Sequence, residues 1–348
     1  MTVAQEGKGW LRTATLSRYS AELKSPAERE FRVRTITVVV LLAISLPAQN
    51  GVSDQKALNT KQKVLWGKLE SQIDHVDRDL DGVMGVAIED LSSGQKFYLR
   101  EDEVFPQASV IKVAVLAELY HQHQQSLQGV LGKAKLTDTY TMQASDLVAD
   151  SDIMGGLTAG LSKITNRDLA TMVAAVSDNT AANVLIDRVG MDNVNALLDS
   201  LGLPHTRLRR KMMDLKAASE GRENVSTPRE MLSLLEQIFQ GRVVDKDLTK
   251  DLIKVLSTHK ESWIARDLPE GLQVADKTGS LEGVRNDCGI VLVPNRPYIL
   301  CIMTTYLSKE RDGEQAITGI SAAAYSILDR MARASEYGRV VSPKDSSH

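Results

Sequence analysis

Strand signals near both ends of the chain enclose a long helical middle, and this order limits the possible folds more than any other feature. Five segments have the apolar patterns and turn boundaries of strands: residues 83–89, 96–100, 273–278, 288–293 and 298–306. From residue 109 to about residue 240 the apolar spacing is helical, with glycine and proline at the breaks. The order predicts an α+β fold in which one antiparallel five-stranded sheet is assembled from both ends of the chain. An all-α domain is inserted between its parts.

Two amphipathic helices are predicted to flank this sheet. The apolar face of the first comprises Trp66, Leu69, Ile73, Val76 and Leu80. Its pattern lasts only about two heptads, which favours packing on its own domain over a coiled coil. The second helix closes the fold at residues 317–334. The predicted parts are a discontinuous sheet domain at 52–105 and 255–335, a helical domain at 106–254 and a polar tail at 336–348.

Composition is that of an ordinary globular protein with a large core. Of 348 residues, 43% are hydrophobic and 25% are charged, and the formal net charge is -3. This balance argues against a disordered chain and against electrostatic binding of nucleic acid. The one basic cluster, at residues 207–211, has no flanking aromatic side chains on which bases could stack. It is therefore predicted to be a solvated loop with one or two internal ion pairs.

An apolar stretch near the start of the chain predicts export. Residues 36–48 follow Arg32 and Arg34, as in a secretory signal, and are too few to span a bilayer. The preceding residues are long and mixed in charge for such a signal, so Val33 is a candidate true start. We expect residues 1–48 to be an extension and signal, and the mature protein to be periplasmic or extracellular without a stable membrane span. Leu46 stands where cleavage favours a small residue, so retention as a membrane anchor remains the alternative.

The two cysteines, Cys288 and Cys301, both lie in predicted strands. A hairpin turn at residues 294–297 would place Cys301 opposite Ile290 and leave Cys288 two positions out of register. Although export would permit a disulfide, this register predicts free, buried thiols.

Three short motifs indicate the chemistry: Ser109-Val110-Ile111-Lys112, Ser177-Asp178-Asn179 and Lys277-Thr278-Gly279. In the first motif a hydroxyl and an amine lie one helical turn apart, so Lys112 can take the proton of Ser109 and leave a nucleophile. An unperturbed lysine has a pKa of about 10.4, and being half neutral at pH 7 requires its site to disfavour the charge by roughly 4 to 5 kcal/mol. Burial and a second ammonium, that of Lys277, can supply this.

In this order the motifs resemble those of the class A serine β-lactamases and the wider penicillin-recognising serine enzymes. The run Phe105-Pro106-Gln107-Ala108-Ser109 resembles the approach to the family's nucleophile, and residues 176–183 resemble its second motif in full. The motifs stand 68 and 100 residues apart, which is similar to the family's spacing. The resemblance extends from about residue 60 to residue 334.

The resemblance implies a role for each motif residue. Ser109 is the nucleophile, Lys112 its base, and Ser177 a bridge between Lys112 and Lys277 that passes a proton to the leaving nitrogen. The implied substrate-binding residues are Asn179, Thr278, Gly279 and Ser280. The family's arginine before the sheet glycine is missing here, because Cys288 precedes Gly289, and Arg285 is the candidate that would supply this charge instead. Backbone N–H groups of Ser109 and Ser280 would form the oxyanion hole. No cofactor or metal is implied, and the spacing of His121 and His123 would place them on different faces of a helix.

Two positions in the loop after the second motif depart from the family's pattern. After Thr206-Arg207-Leu208 the family has a glutamate that activates the deacylating water, and here Met212 occupies that place. Lys216 replaces the asparagine that helps to hold the water. A thioether cannot accept a proton from water. Asp214 is the nearest carboxylate, and a structural ion pair is the favoured interpretation for it, as for Glu220 and Glu223.

Two functional interpretations follow. The first is a secreted, monomeric serine hydrolase that is acylated at Ser109 by β-lactams and hydrolyses their amide, with slow deacylation. The second is a penicillin-binding or peptidoglycan-related acyltransferase, or an esterase, that β-lactams trap without efficient turnover. A non-catalytic binding module is disfavoured because Ser109 and both lysines are present.

Overall fold

The computed structural model describes residues 56–340. The predicted export segment, the candidate start at Val33 and the end of the polar tail lie outside these residues. Within the described range, no helix is both long enough and apolar enough to cross a bilayer.

The described residues contain nine α-helices, nine strands and three short 3-10 helices. The α-helices are α1 Thr60–Asp79, α2 Lys112–Leu127, α3 Asn166–Val176, α4 Asn179–Val189, α5 Met191–Ser200, α6 Leu215–Ser219, α7 Pro228–Phe239, α8 Lys246–Leu256 and α9 Glu310–Arg333. The strands are β1 Val83–Asp90, β2 Gln95–Leu99, β3 Phe105–Pro106, β4 Thr139–Thr141, β5 Lys163–Thr165, β6 Val225–Ser226, β7 Val274–Leu281, β8 Val284–Val291 and β9 Tyr298–Thr305. The 3-10 helices are Ala108–Ile111, Ala144–Asp146 and Met154–Gly156.

One five-stranded antiparallel sheet has the strand order β2-β1-β9-β8-β7. Its first two strands come from the early part of the chain and the other three from the late part, with α2 to α8 between them. This confirms the predicted fold class. Strand β8 begins at Val284, four residues before its predicted start, and α9 begins at Glu310, well before residue 317. The motif strand β7 lies at the edge of the sheet, where one side of its backbone is open to a substrate.

The sheet separates two hydrophobic cores. On one face α1 and α9 pack together, and Trp66, Leu69 and Ile73 of α1 are buried. Asn59 begins α1 with a capping box that also uses Gln62. The early helix therefore packs on its own domain, as its short pattern predicts. On the other face the buried residues of α2, α3, α4 and α7 form the larger core.

The cysteine prediction is wrong, because Cys288 and Cys301 form a disulfide. Strands β8 and β9 are joined by residues 292–297, and Val291 rather than Val293 lies opposite Tyr298. This shift of two positions places the cysteines directly opposite each other, with 4.0 Å between their Cα atoms. The connection at residues 292–297 is two residues longer than the predicted turn at residues 294–297, and this difference explains why the predicted register was wrong by two positions.

Candidate active site

Ser109 lies in the short 3-10 helix that leads into α2. Ala108 enters this helix with a φ of 51°, and the backbone N–H of Gln107 donates to Asn224 O at 2.8 Å. The Ser109 side chain is half-buried, and its hydroxyl makes no hydrogen bond to another residue in the described part of the chain. A free hydroxyl at the N-terminal end of a helix is well placed for nucleophilic attack, because negative charge that develops there is stabilised by the helix dipole.

Lys112 is fully buried, and its ammonium is held by the second motif. Nζ donates to Ser177 Oγ at 3.0 Å, to Ser177 O at 2.5 Å and to Asn179 Oδ1 at 2.7 Å. Burial, followed by the charge of Lys277, holds the pKa of Lys112 well below its usual range. The neutral amine is the form that accepts a proton, so this environment favours a general base.

The second motif is a tight junction between α3 and α4. Ser177 ends α3 in the left-handed conformation, with a φ of 58°. Asp178 caps α4: its Oδ1 accepts from Ala181 N at 2.9 Å. Its Oδ2 accepts from the backbone N of Ile153 and Met154, at 3.1 and 2.9 Å. The middle residue of the motif therefore has a structural function, and it fixes Ser177 and Asn179 on either side of it.

The third motif lies against the Ser109 helix. A Cβ added to Gly279 would come within 2.7 Å of Gln107 O, so only glycine permits this close approach of β7. Lys277 is 1% exposed and donates to Thr278 O at 2.7 Å. Burial lowers the pKa of Lys277 to about 8. Thr278 is half-buried and Ser280 is exposed on the same edge strand.

A buried charge network next to Lys277 was not foreseen from the sequence. Lys260 Nζ pairs with Asp276 Oδ1 at 3.0 Å, and both side chains are at most 5% exposed. Asp287 Oδ2 accepts from the backbone N of Trp263 and Ile264, at 3.1 and 3.0 Å. Burial, and then the charge of Asp276, raises the pKa of Asp287 well above its usual range. The two aspartates raise the pKa of Lys277 and Lys260 lowers it, so this network adjusts a motif residue.

Asn286 was also missed, although it supports the nucleophile. Its Nδ2 donates to Pro106 O at 2.7 Å, and its Oδ1 accepts from Thr304 N at 2.9 Å. It therefore ties β8 and β9 to the segment that carries Ser109. A fully buried asparagine within a strand is the signal that could have revealed it, but the predicted strand began only at residue 288.

The structure does not bring Arg285 into the site. Its guanidinium donates to Glu314 at 3.1 Å and to Glu310 at 2.6 Å, and both partners belong to α9. Arg285 also donates to Leu281 O at 2.9 Å, and these contacts together direct its side chain to α9. This corrects the expectation that Arg285 supplies charge to a substrate.

The loop that should carry the deacylating base is fastened to α4. Met212 N donates to Asn183 Oδ1 at 2.8 Å, and Asn183 Nδ2 donates to Met212 O at 3.1 Å. The Met212 side chain is 6% exposed and belongs to the larger core. The site thus holds a thioether at the position of the missing glutamate.

The carboxylates near Met212 have structural partners. Asp214 is exposed and caps α6 by accepting from Ala217 N at 2.9 Å, whereas an ion pair was expected. Glu220 pairs with Arg222 at 2.5 Å and Glu223 with Arg210 at 2.6 Å. Lys216 is exposed on α6. The basic cluster makes three ion pairs rather than one or two: Arg207 with Asp199, Arg210 with Glu223 and Lys211 with Asp187.

Comparison with known proteins identifies a family. A model of the β-lactamase enzyme family matches residues 68–328. β-Lactamase SME-1 of Serratia marcescens is 29% identical over 273 residues, covering 74% of this chain and 88% of that protein. The crystal structure of a β-lactamase from Sphaerobacter thermophilus is 30% identical with a TM-score of 0.68, covering 76% of this chain and 97% of that one.

A second kind of solved structure is also similar. A mutant of PBP-A in an acyl-enzyme complex with penicillin G is 25% identical with a TM-score of 0.65, covering 75% of this chain and 96% of that one. The motifs, the sheet and these matches agree. The chain belongs to the β-lactamase enzyme family, as a class A-like serine hydrolase.

Proposed function

We propose that this protein is an exported, monomeric enzyme that β-lactams acylate at Ser109, and that it releases the acyl group slowly. The observation that carries the proposal is the buried Lys112, whose lowered pKa and contacts with Ser177 and Asn179 suit a general base. Relatives named as β-lactamases support the choice of substrate. The export-like segment at residues 36–48 supports the location.

Acylation uses the residues of all three motifs. Neutral Lys112 accepts the proton of Ser109, and Oγ attacks the lactam carbonyl carbon. The oxyanion is held by the backbone N–H groups of Ser109 and Ser280. As the C–N bond breaks, Ser177 gives its proton to the nitrogen and regains one from Lys112, to which it is hydrogen-bonded.

The proposed site has two ends, which bind the leaving-group side and the acyl side of the substrate. Protonated Lys277, together with Thr278 and Ser280, attracts the carboxylate on the leaving-group side of the lactam. Asn179 lies on the acyl side, where its amide group binds the amide of the substrate's side chain. In the free protein Asn179 Nδ2 donates one hydrogen to Ala149 O at 3.1 Å, which leaves its second hydrogen for a carbonyl oxygen of the substrate.

Deacylation is the slow half of the proposed cycle. Met212 provides no general base, a contribution typically worth about 10²- to 10⁴-fold. Water must then be activated by Lys112 or react unaided. A second candidate function has an acyl-enzyme that does not turn over: a penicillin-binding or peptidoglycan-related acyltransferase or esterase that β-lactams trap. The acyl-enzyme complex of PBP-A is consistent with such an intermediate.

The test combines a chromogenic cephalosporin with mass spectrometry of the Ser109 peptide. Colour that continues over many turnovers, with the adduct present while substrate lasts and lost afterwards, supports slow hydrolysis. A single stoichiometric burst with a persistent adduct supports the trapped acyl-enzyme. The Ser109→Ala variant is the control and should give neither adduct nor burst. Absence of both signals in the unaltered protein would contradict both candidates.

A further inference from the structure

A short segment beside Asn179, residues 149–154, forms a rim of the candidate site. Asn179 N donates to Asp150 O at 3.2 Å, and Asn179 Nδ2 donates to Ala149 O at 3.1 Å. Its chain neighbours add further ties: Thr180 Oγ1 with Ser151 Oγ at 2.7 Å, and Asp178 Oδ2 with the N–H groups of Ile153 and Met154. The rim is therefore fixed to the second motif along its length.

Asp150 places a carboxylate on this rim close to the reacting groups. Asn179, which bonds the Asp150 carbonyl, also accepts from Lys112 Nζ at 2.7 Å, so one residue links Asp150 to the amine. The negative charge of Asp150 acts on that amine and raises the pKa of Lys112, opposing the larger effect of burial. Asp150 has a φ of 53°, a conformation that aspartate and asparagine tolerate better than most residues.

The Asp150 carboxylate has no partner of its own. It is exposed, and it makes neither a hydrogen bond nor an ion pair with any residue between 56 and 340. By contrast, Asp187 of α4, which is also exposed, pairs with Lys211. Asp150 is thus an unneutralised negative charge at the acyl end of a site whose other end carries Lys277.

We propose that Asp150 is a specificity-determining residue that favours acyl donors with a positive charge on the acyl side of the scissile amide. This inference rests on the proposed function and names the substrate class of the same site. A zwitterionic donor matches both ends: its carboxylate meets Lys277, Thr278 and Ser280, and its ammonium meets Asp150. A donor with a second carboxylate on the acyl side is repelled.

The expected effect is moderate because the carboxylate is exposed to water. Charge pairs of this kind change a rate or binding constant by about threefold to fivefold. The effect should weaken as salt is added, since a Debye length of about 3 Å at 1 M ionic strength screens exposed charges.

Three penicillins with the same phenylacetyl framework provide the probe. Ampicillin carries an ammonium at the α-carbon of the side chain, benzylpenicillin a hydrogen and carbenicillin a carboxylate. The rate of Ser109 acylation is measured by mass spectrometry at about pH 6.5, where an α-amine with a pKa near 7.7 is mostly protonated. The unaltered protein should prefer ampicillin to benzylpenicillin, and benzylpenicillin to carbenicillin.

The Asp150→Asn variant keeps the backbone preference and removes the charge. It should bring two ratios of acylation rates closer to one: ampicillin to benzylpenicillin, and benzylpenicillin to carbenicillin. Asp192→Asn is the matched control, because Asp192 lies on α5 outside the rim, is exposed and has no ion pair among the described residues, and it should leave the ratios unchanged.

Two results would overturn the inference alone: acylation by all three penicillins with ratios that Asp150→Asn leaves intact, or equal effects of the two variants. Failure of all three penicillins to acylate Ser109 would overturn the proposed function, and the inference with it.

Discussion

Helix α4 holds two parts of the site through two asparagines one turn apart, and only one of those parts carries a base. Asn179 accepts from the amine of Lys112 at 2.7 Å. Asn183 grips the backbone of Met212 from both sides, at 2.8 and 3.1 Å. The first contact positions a group that can move protons, and the second positions a thioether.

The difference shows that the contacts that position a catalytic loop can be present although the catalytic side chain is absent. Asn183 still binds the backbone at position 212, where the side chain is a thioether. Among the groups for acylation, Lys112 and Lys277 are buried, and Ser177 is held by its contacts with Lys112. The loop around Met212 is held by Asn183 and by three ion pairs, two of them with exposed partners. The missing carboxylate at Met212 is therefore one difference between the acylation and deacylation halves of the proposed cycle that substitution can test.

Removing the base of the first half should have the largest effect. Lys112→Ala is expected to slow acylation of Ser109 by about 10²- to 10⁴-fold, the usual contribution of a general base. Stopped-flow mixing with a chromogenic cephalosporin measures the rate, and circular dichroism checks that the variant folds. Lys216→Ala, which removes an exposed lysine of α6, is the control and should acylate normally. Acylation of Lys112→Ala at the normal rate would assign the base elsewhere.

Supplying a base to the second half should have an effect of similar size in the opposite direction. Met212→Glu places a carboxylate where Asn183 already fixes the backbone, and it is expected to speed deacylation by up to about 10²-fold to 10⁴-fold. The lifetime of the Ser109 adduct measures this. In the Met212→Gln variant the glutamine side chain has nearly the same shape as glutamate but no carboxylate, so the Ser109 adduct should remain long-lived. Equal lifetimes for the two variants would show that the loop lacks more than a carboxylate.

The buried charge network next to Lys277 should determine the pH above which the acylation rate falls. Acylation rises with pH as Lys112 becomes neutral, and it falls above about pH 8 as Lys277 loses the proton that attracts the substrate carboxylate. The charge of Lys260 lowers the pKa of Lys277, so Lys260→Met should move the alkaline limit upward, by about half a unit to one unit.

The acylation rate from pH 5 to pH 10 tests this shift. Lys260→Met also leaves Asp276 buried without its partner, which typically costs about 3 to 5 kcal/mol of stability, so the rates are compared below the unfolding transition. Lys254→Met removes an exposed lysine of α8 and should leave the limit in place. A downward shift in Lys260→Met would contradict the assigned effect of its charge.

Sequence patterns predicted those features that depend on local order. The buried face of α1, the five sheet strands and the three motifs follow from spacing along the chain. The pairing register of β8 with β9 could not be predicted from this spacing, because the length of the loop at residues 292–297 depends on how both strands pack. The ion pair of Arg285 with Glu314 joins residues 29 positions apart, and the pairing of Lys260 with Asp276 also requires the folded sheet. Such contacts decide where a charge points and leave no periodic signal.

The smallest expected effect concerns Asp214, the carboxylate nearest to Met212 in sequence. As the cap of α6 it should contribute only stability, so Asp214→Ala is expected to lower the free energy of unfolding by about 1 kcal/mol without changing the adduct lifetime. Asp214→Asn keeps a capping oxygen and removes the carboxylate, and it should match the unaltered protein in urea denaturation. A longer adduct lifetime in both variants would mean that Asp214 activates water. The loop would then retain a base that its contacts do not reveal, and the contrast between the two halves of the site would be lost.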